Sequence, residues 1–429
     1  MNFEFSTYFE EKRIMNATTS KKALGVRPLT YLLALVYFCS YLTRKNFAVV
    51  LQQVITETEL SKDALSVILV TMTVTYGVGQ LISGRLADRI SPTAIISCGL
   101  FCATAINILV PILPFSVPLM AVLWGINGFA HSMLWPPIIR IMVVSCDDDS
   151  YGHAMVRVSQ GCSVATIVLY LVAPMTISLF GSWKSIFVFS AAVGVGVTAL
   201  WCVLSKRIRS DSPVSREGAD TTQAKTGGFR LPRAALLPFV LIVLGIIMHG
   251  MLRDGIVTYM PTYLAETYAW SNEASIFSGI FPALFTMACF SIFGTLFSRF
   301  FKNEVFCSAV IFGIAALAAA ILLLPLGKSG AIVSVLCMTL ITGCMHGVNL
   351  MLITHVPKRF RKSGNVSTVA GLVNACTYVG EAVFTYGISV LAIHHGWKIC
   401  LFACTIIAVL GLAFCLAATR PWQRFFEKN

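Results

Sequence analysis

Twelve apolar runs, each about as long as a bilayer is thick, decide what this chain can fold into. They fall near residues 28–50, 64–86, 93–112, 116–142, 152–180, 184–205, 235–263, 274–300, 304–325, 330–356, 364–394 and 396–418. A helix needs about 20 apolar residues to cross the hydrocarbon layer. Runs of this length are far too long for barrel strands, which leaves helices as the spanning element. Hydrophobic residues fill 57% of the 429 positions and charged residues only 12%, against ~25% charged in an ordinary soluble domain. The first run follows a polar segment holding Glu10, Glu11, Lys12, Arg13, Lys21 and Lys22. It is too long for a cleaved signal, and further spans follow it. The expected fold class is an all-α membrane protein with twelve transmembrane helices.

The net charge of +13 would suggest nucleic acid as a partner in a soluble chain. Here the cations sit in short loops between apolar runs, so they are read as orienting charges, and no nucleic-acid partner is expected. Of the 32 Lys and Arg, 24 fall on the side of the N-terminal tail, four in the opposite loops and four within apolar runs. That bias predicts a multi-pass protein of the inner (plasma) membrane with both termini cytoplasmic. One long polar interruption reads as a flexible linker and divides the chain. The expected organisation is a tail at 1–27, six helices over 28–205, a linker at 206–234, six helices over 235–418, and a tail at 419–429. Each half opens with an apolar run bearing an Arg about two-thirds along, Arg44 in one and Arg253 in the other. Two pseudo-symmetric six-helix bundles around a central site follow from that repetition.

The 14 cysteines are scattered, mostly through apolar runs, and read as small buried residues. No CxxC pair, Cys/His cluster, nucleophile–base pair or phosphate-cradling glycine loop stands out. The chain is expected to have no metal, no cofactor and no catalytic residues.

Polar residues inside the runs are the candidates for function. An Arg at mid-membrane costs roughly 3 kcal/mol on insertion scales, so it needs an anion or a structural partner. A guanidinium offers a rigid donor fork that fits phosphate or carboxylate. Arg44 and Arg253 therefore read as an anion site, with a buried salt bridge to Asp254 or Glu381 as the other reading. Tyr37, Tyr41 and Arg44 share one helix face, and Tyr76 and Gln80 make a similar pair on the second helix. Gln80 is expected to face a cavity. Trp135-Pro136-Pro137 should kink the fourth helix, with Trp135 a candidate for the cavity wall. His249 precedes Arg253 by one turn, and His131, His346 and Asn349 are further polar residues in apolar runs. Desolvation favours the neutral form of Glu381, which leaves it as a proton carrier or as a partner for an Arg.

The segment Gly84-Arg85-Leu86-Ala87-Asp88-Arg89 resembles the loop signature of the major facilitator superfamily. Within it, Tyr41-Leu42-Thr43-Arg44-Lys45-Asn46-Phe47-Ala48 resembles the first-helix motif of the organophosphate:phosphate antiporters, the glycerol-3-phosphate and hexose-phosphate transporters. Trp135-Pro136-Pro137 with Arg140 resembles that family's fourth helix, and Leu252-Arg253-Asp254-Gly255-Ile256 with Pro261-Thr262-Tyr263-Leu264 its seventh. Ala370-Gly371 to Tyr378-Val379-Gly380 fits the eleventh more loosely. The resemblance implies a twelve-helix two-bundle transporter with Arg44 and Arg253 as the phosphate-binding pair. It implies that Gly84, Arg85, Asp88 and Arg89 form a gating loop. Three positions depart from the family. Gln80 stands where a Lys is usual, Cys162 where a His is frequent, and Glu381 where a small residue is usual. All three changes point to a less charged anion than a phosphate dianion, and Arg157 on the fifth helix either replaces the lost charge or sits at the cytoplasmic end.

The leading expectation is a monomeric secondary transporter that exchanges a small organic phosphate for inorganic phosphate. Two other readings stay open: proton-coupled uptake of an organic acid with Glu381 titrating, and a transporter-like membrane sensor of a phosphorylated metabolite.

Overall fold

The computed structural model describes residues 24–60, 62–208, 233–270, 278–325, 330–361, 363 and 365–427. The expected N-terminal tail up to residue 23, the linker over 209–232 and the last two residues of the C-terminal tail lie outside them. Among the described residues, twelve helices are long and apolar enough to cross a membrane. They are α1 (Val26–Val49), α2 (Val67–Ala87), α3 (Pro92–Ile112), α4 (Val117–Ser145), α5 (Asp149–Phe180) and α6 (Ser185–Arg207). After residues 209–232 come α7 (Ala235–Met260), α8 (Ile280–Phe300), α9 (Glu304–Ile321), α10 (Gly330–Lys358), α11 (Val366–Ala392) and α12 (Trp397–Phe425).

Local chemistry sets many of the helix ends. Ser91 caps α3 by accepting the Ala94 N–H, with Pro92 in the first turn. Asn303 caps α9 through the N–H groups of Val305 and Phe306, at 2.9 and 3.1 Å, and Asp147 caps α5 through that of Ser150 at 2.8 Å. Each side-chain acceptor satisfies a donor that the first turn leaves orphaned. The Ser150 hydroxyl, which also donates to Asp147, and then the Ser150 N–H hold the exposed Asp147 carboxyl below its ordinary value. Gly181 ends α5 with φ at +67°, a conformation that costs glycine nothing. Pro136 and Pro137 do kink α4: the helix breaks at Met133–Leu134 and restarts at Trp135. α10 carries a π-helical stretch, Asn349–His355, a feature often found where function needs a side chain redirected.

Large apolar side chains cover the outside, as lipid contact requires; Phe101, Leu179 and Leu317 are among the exposed ones. Inside, α1 packs along α5, α2 along α4, and α7 along α11 and α12. Across the two sets of six, α2 packs along α11, α5 along α8, and α4 against α11. Several polar contacts between the sets lie toward the face on which α2 ends and α11 begins. There Asp88 accepts the N–H groups of Ser367 and Thr368 at 2.9 and 2.6 Å. Tyr151 donates to the Thr354 carbonyl at 2.8 Å, and Gln160 to Ser291 at 2.7 Å. The chain ends of α1 and α12 share this face, because an even number of spans returns the chain to its starting side.

Candidate functional site

The site begins with backbones that touch. A Cβ on Gly250 would collide with the Thr377 carbonyl, and one on Gly380 with the Ile247 carbonyl. Bare glycines therefore let α7 and α11 approach as small-residue helix interfaces do in membranes. That contact sets Arg253, one turn after His249, beside Tyr378 and Glu381. Gly371 makes a similar approach to the Gln80 carbonyl, drawing α2 against α11.

Around Arg44, α1 is fixed by a buried polar network. Asn107 donates to the Thr43 carbonyl at 3.0 Å and Asn127 to the same oxygen at 3.1 Å. Asn46 donates to Asn107 at 2.7 Å, and Ser40 lies 3.2 Å from His131 Nδ1. Buried amides must find partners, and here they lock the carbonyl one residue before Arg44. Sequence reasoning missed Asn46, Asn107 and Asn127 as supports; polar amides on three separate apolar runs were the available signal.

The Arg44 guanidinium stacks on two rings, with its carbon 4.4 Å from the Tyr41 centroid and 4.7 Å from that of Tyr76. Arg44 is 4% exposed, and its Nε is buried without a hydrogen-bond partner. The Tyr76 ring meets Tyr378 edge to face at 4.7 Å, and Arg253 lies 5.8 Å from the Tyr378 centroid. Tyrosines thus connect the two arginines. Arg253 donates through Nε to Asp254 at 2.6 Å, and its Nη2 pairs with both Asp254 and, at 3.9 Å, Glu381.

A cavity runs through this cluster, lined by Tyr37, Tyr41, Tyr76, Trp135, Cys162 and Arg253. It also meets His346 and Asn349, polar residues already marked in the apolar runs, and four residues absent from the expected site: Ser159, Phe290, Asn374 and Tyr378. Trp135 stacks on Tyr37 at 4.6 Å. Asn374 and Tyr378 sit one turn apart on α11, a spacing visible in the sequence. The cavity-facing position expected for Gln80 is corrected: its amide donates to the Ser132 carbonyl at 3.3 Å, because the α2–α4–α11 contact encloses it. His249 is fully buried, neither ring nitrogen has a partner, and it is not among the cavity's lining residues. Arg157 is exposed, 5.9 Å from the ring of Tyr31 near the start of α1, so it does not replace a cation in the cavity. Gly84 and Asp88 meet α11 at its first turns, while Arg85 and Arg89 are exposed.

Chemically, the cluster offers two guanidiniums, tyrosine hydroxyls and amides around an enclosed space, with carboxylates on one arginine only. Guanidiniums and hydroxyls are the donor types that recognise phosphate and carboxylate groups.

The family profile described as Major Facilitator Superfamily matches residues 33–385. The glycerol-3-phosphate transporter of Bacillus subtilis (strain 168) is 26% identical over 406 residues, spanning 87% of this chain and 88% of that one. The membrane sensor protein UhpC of Escherichia coli (strain K12) matches locally, 26% identical over 171 residues and 38% of each chain. Among solved structures, the E. coli fucose:proton symporter superposes with a TM-score of 0.73 at 14% identity, covering 92% of this chain and 100% of that one.

Proposed function

This chain belongs to the Major Facilitator Superfamily, and from that premise we propose that it is a secondary active transporter of a small organic phosphate, exchanged for inorganic phosphate. The observation that carries this reading is a tyrosine-lined cavity with Arg253 in its wall and Arg44, from the other set of six helices, set behind it against the rings of Tyr41 and Tyr76. The nearly full-length similarity to a glycerol-3-phosphate transporter supports the phosphate ester.

In this proposal residues 28–205 and 235–418 act as two bundles that rock about the central site. The membrane is the inner (plasma) membrane, and the face carrying both termini is cytoplasmic. The arrangement described here is then closed toward the cytoplasm, with Asp88 fastening α2 to the start of α11. An anion bound between Arg44 and Arg253 draws the bundles together, and its differential affinity for the two arrangements drives the switch. The protein works as a monomer.

Counterflow in proteoliposomes loaded with phosphate tests the proposal, with glycerol-3-phosphate, hexose phosphates and simple carboxylates offered outside. Exchange of an ester for phosphate, abolished by Arg44→Gln, is the expected result. Entry of a carboxylate alone, driven by a proton gradient, would replace phosphate exchange with proton coupling through Glu381. The local similarity to UhpC favours one further reading, a sensor. Saturable binding of an ester without flux would select it.

A further inference from the structure

The two arginines of the site are not equivalent. Arg253 is already engaged: Asp254 accepts from its Nε and Nη2, and Glu381 lies 3.9 Å from Nη2. Arg44 faces no carboxylate in the ion pairs described. The rings of Tyr41 and Tyr76 lie 4.4 and 4.7 Å from its guanidinium carbon, and its Nε is buried without a hydrogen-bond partner. One Glu381 oxygen is likewise buried without a hydrogen bond.

We infer that the site is charge-matched to an anion with a single negative charge, held on Arg44, while Arg253 serves as a neutralised wall. This deepens the organic-phosphate reading and rests on it.

The charges that act on Glu381 are Asp254 and Arg253 of α7 and Lys45 and Arg44 of α1. The imidazoles of His249 on α7 and His346 on α10 flank Arg253 and Asp254, and Tyr378 adds its hydroxyl from α11. Counted together, the three cations and two carboxylates that act at this point leave one positive charge in excess. A phosphodiester or carboxylate monoanion balances it. A phosphomonoester dianion leaves one uncompensated negative charge in a low-dielectric space, where such a charge is expensive. Protonating the Glu381 carboxylate removes that charge. A dianion therefore enters with one proton, taken from water and held on a Glu381 oxygen, and a monoanion enters without one.

The test uses the detergent-purified full chain and tryptophan fluorescence titrations with three probes: glycerol-3-phosphate, its methyl diester and lactate. A phosphomonoester loses its second proton near pH 6 (roughly), so pH 5.5 and 7.5 present its two charge states. In the parent, monoester affinity should rise about tenfold or more from pH 7.5 to 5.5, with diester affinity level, since one unpaired charge is worth at least that factor. Glu381→Gln should strengthen monoester binding at pH 7.5 by about tenfold and flatten its pH dependence. Should that variant not fold, Asp254→Asn removes the other carboxylate and shifts the same ratio the same way.

A monoester-to-diester ratio at pH 7.5 that neither substitution changes overturns the inference and leaves the phosphate reading intact. A parent that prefers the dianion at pH 7.5 overturns it as well. If neither ester binds while lactate does, the phosphate reading falls and the inference that rests on it falls with it. If no probe binds, both fall.

Discussion

Asn107 donates to the carbonyl of Thr43 at 3.0 Å, one residue before Arg44. The same amide donates to the Ala103 carbonyl and accepts from Asn46, so α1 is held to α3 at the level of the site. Asn107→Ala leaves the Asn46 amide and the Thr43 carbonyl short of partners in a buried setting, at a cost of about 1–3 kcal/mol. The expected outcome is a lower melting temperature and, in the fraction that folds, a raised KM with kcat reduced less. Equal loss of both constants would show that Asn107 does not position Arg44.

Arg253 and Glu381 allow a double-mutant cycle. Removing Arg253 alone, as Gln, leaves Asp254 and Glu381 as unpaired like charges. The expected loss of stability is about 3 kcal/mol, the lower end for a broken buried pair, because Glu381 keeps 19% of its side-chain surface exposed. Glu381→Gln in the Arg253→Gln background should recover part of that loss. Thermal unfolding of the parent, both singles and the double in one detergent gives the coupling energy directly. Additive effects would mean that the 3.9 Å approach contributes nothing.

Gly250→Ala inserts a methyl group where the Thr377 carbonyl already stands. Backbone cannot step aside as a flexible side chain can, so α7 must move off α11. Overpacking of this kind costs about 1–3 kcal/mol. Because Arg253 and Glu381 ride on the separated helices, anion affinity should fall along with stability. Gly387→Ala, on the same α11 but facing open space, serves as the control and should melt with the parent.

The spans were legible because hydrocarbon demands long apolar helices, and most boundaries fell within a few residues of those observed; α12 is the exception, running to Phe425 through most of the tail expected at 419–429. The arginines were legible for the same reason, since a charge in an apolar run stands out. What surrounds them was less so. Tyr378 and Asn374 lie on a helix whose polar residues could equally have faced lipid headgroups or packed partners, and only the Gly250–Thr377 contact brings them to Arg253. Gln80 looked cavity-facing because an amide needs a partner, yet the Ser132 carbonyl supplies it. That carbonyl is free to accept because the break at Met133–Leu134 ends the preceding helical segment at Ser132. Periodicity assigns a face to a residue. It does not say which neighbouring helix fills that face.

Asp88 offers the last prediction, because its carboxylate bridges α2 to the first turn of α11 through Ser367 and Thr368. Burial raises its carboxyl above the ordinary carboxylate value, although the two N–H donors and Arg140 pull the other way. An opened arrangement that hydrates Asp88 returns the group to that ordinary value. Between the two values the closed arrangement holds a proton that the opened one has released. Below the interval both are protonated, and above it neither is. Linkage therefore favours closure as pH falls through the interval and weakens it as pH rises through the raised value. Asp88→Asn has no proton to exchange there, so this dependence should vanish. Asp88→Ala should in addition lose about 1–2 kcal/mol from the closed arrangement, as a lost helix cap does. Hydrogen exchange at the Ser367 and Thr368 amides, corrected for its intrinsic pH dependence, reads the closure directly. Protection in the parent that rises with pH, or that survives Asp88→Ala unchanged, would remove Asp88 from the gate.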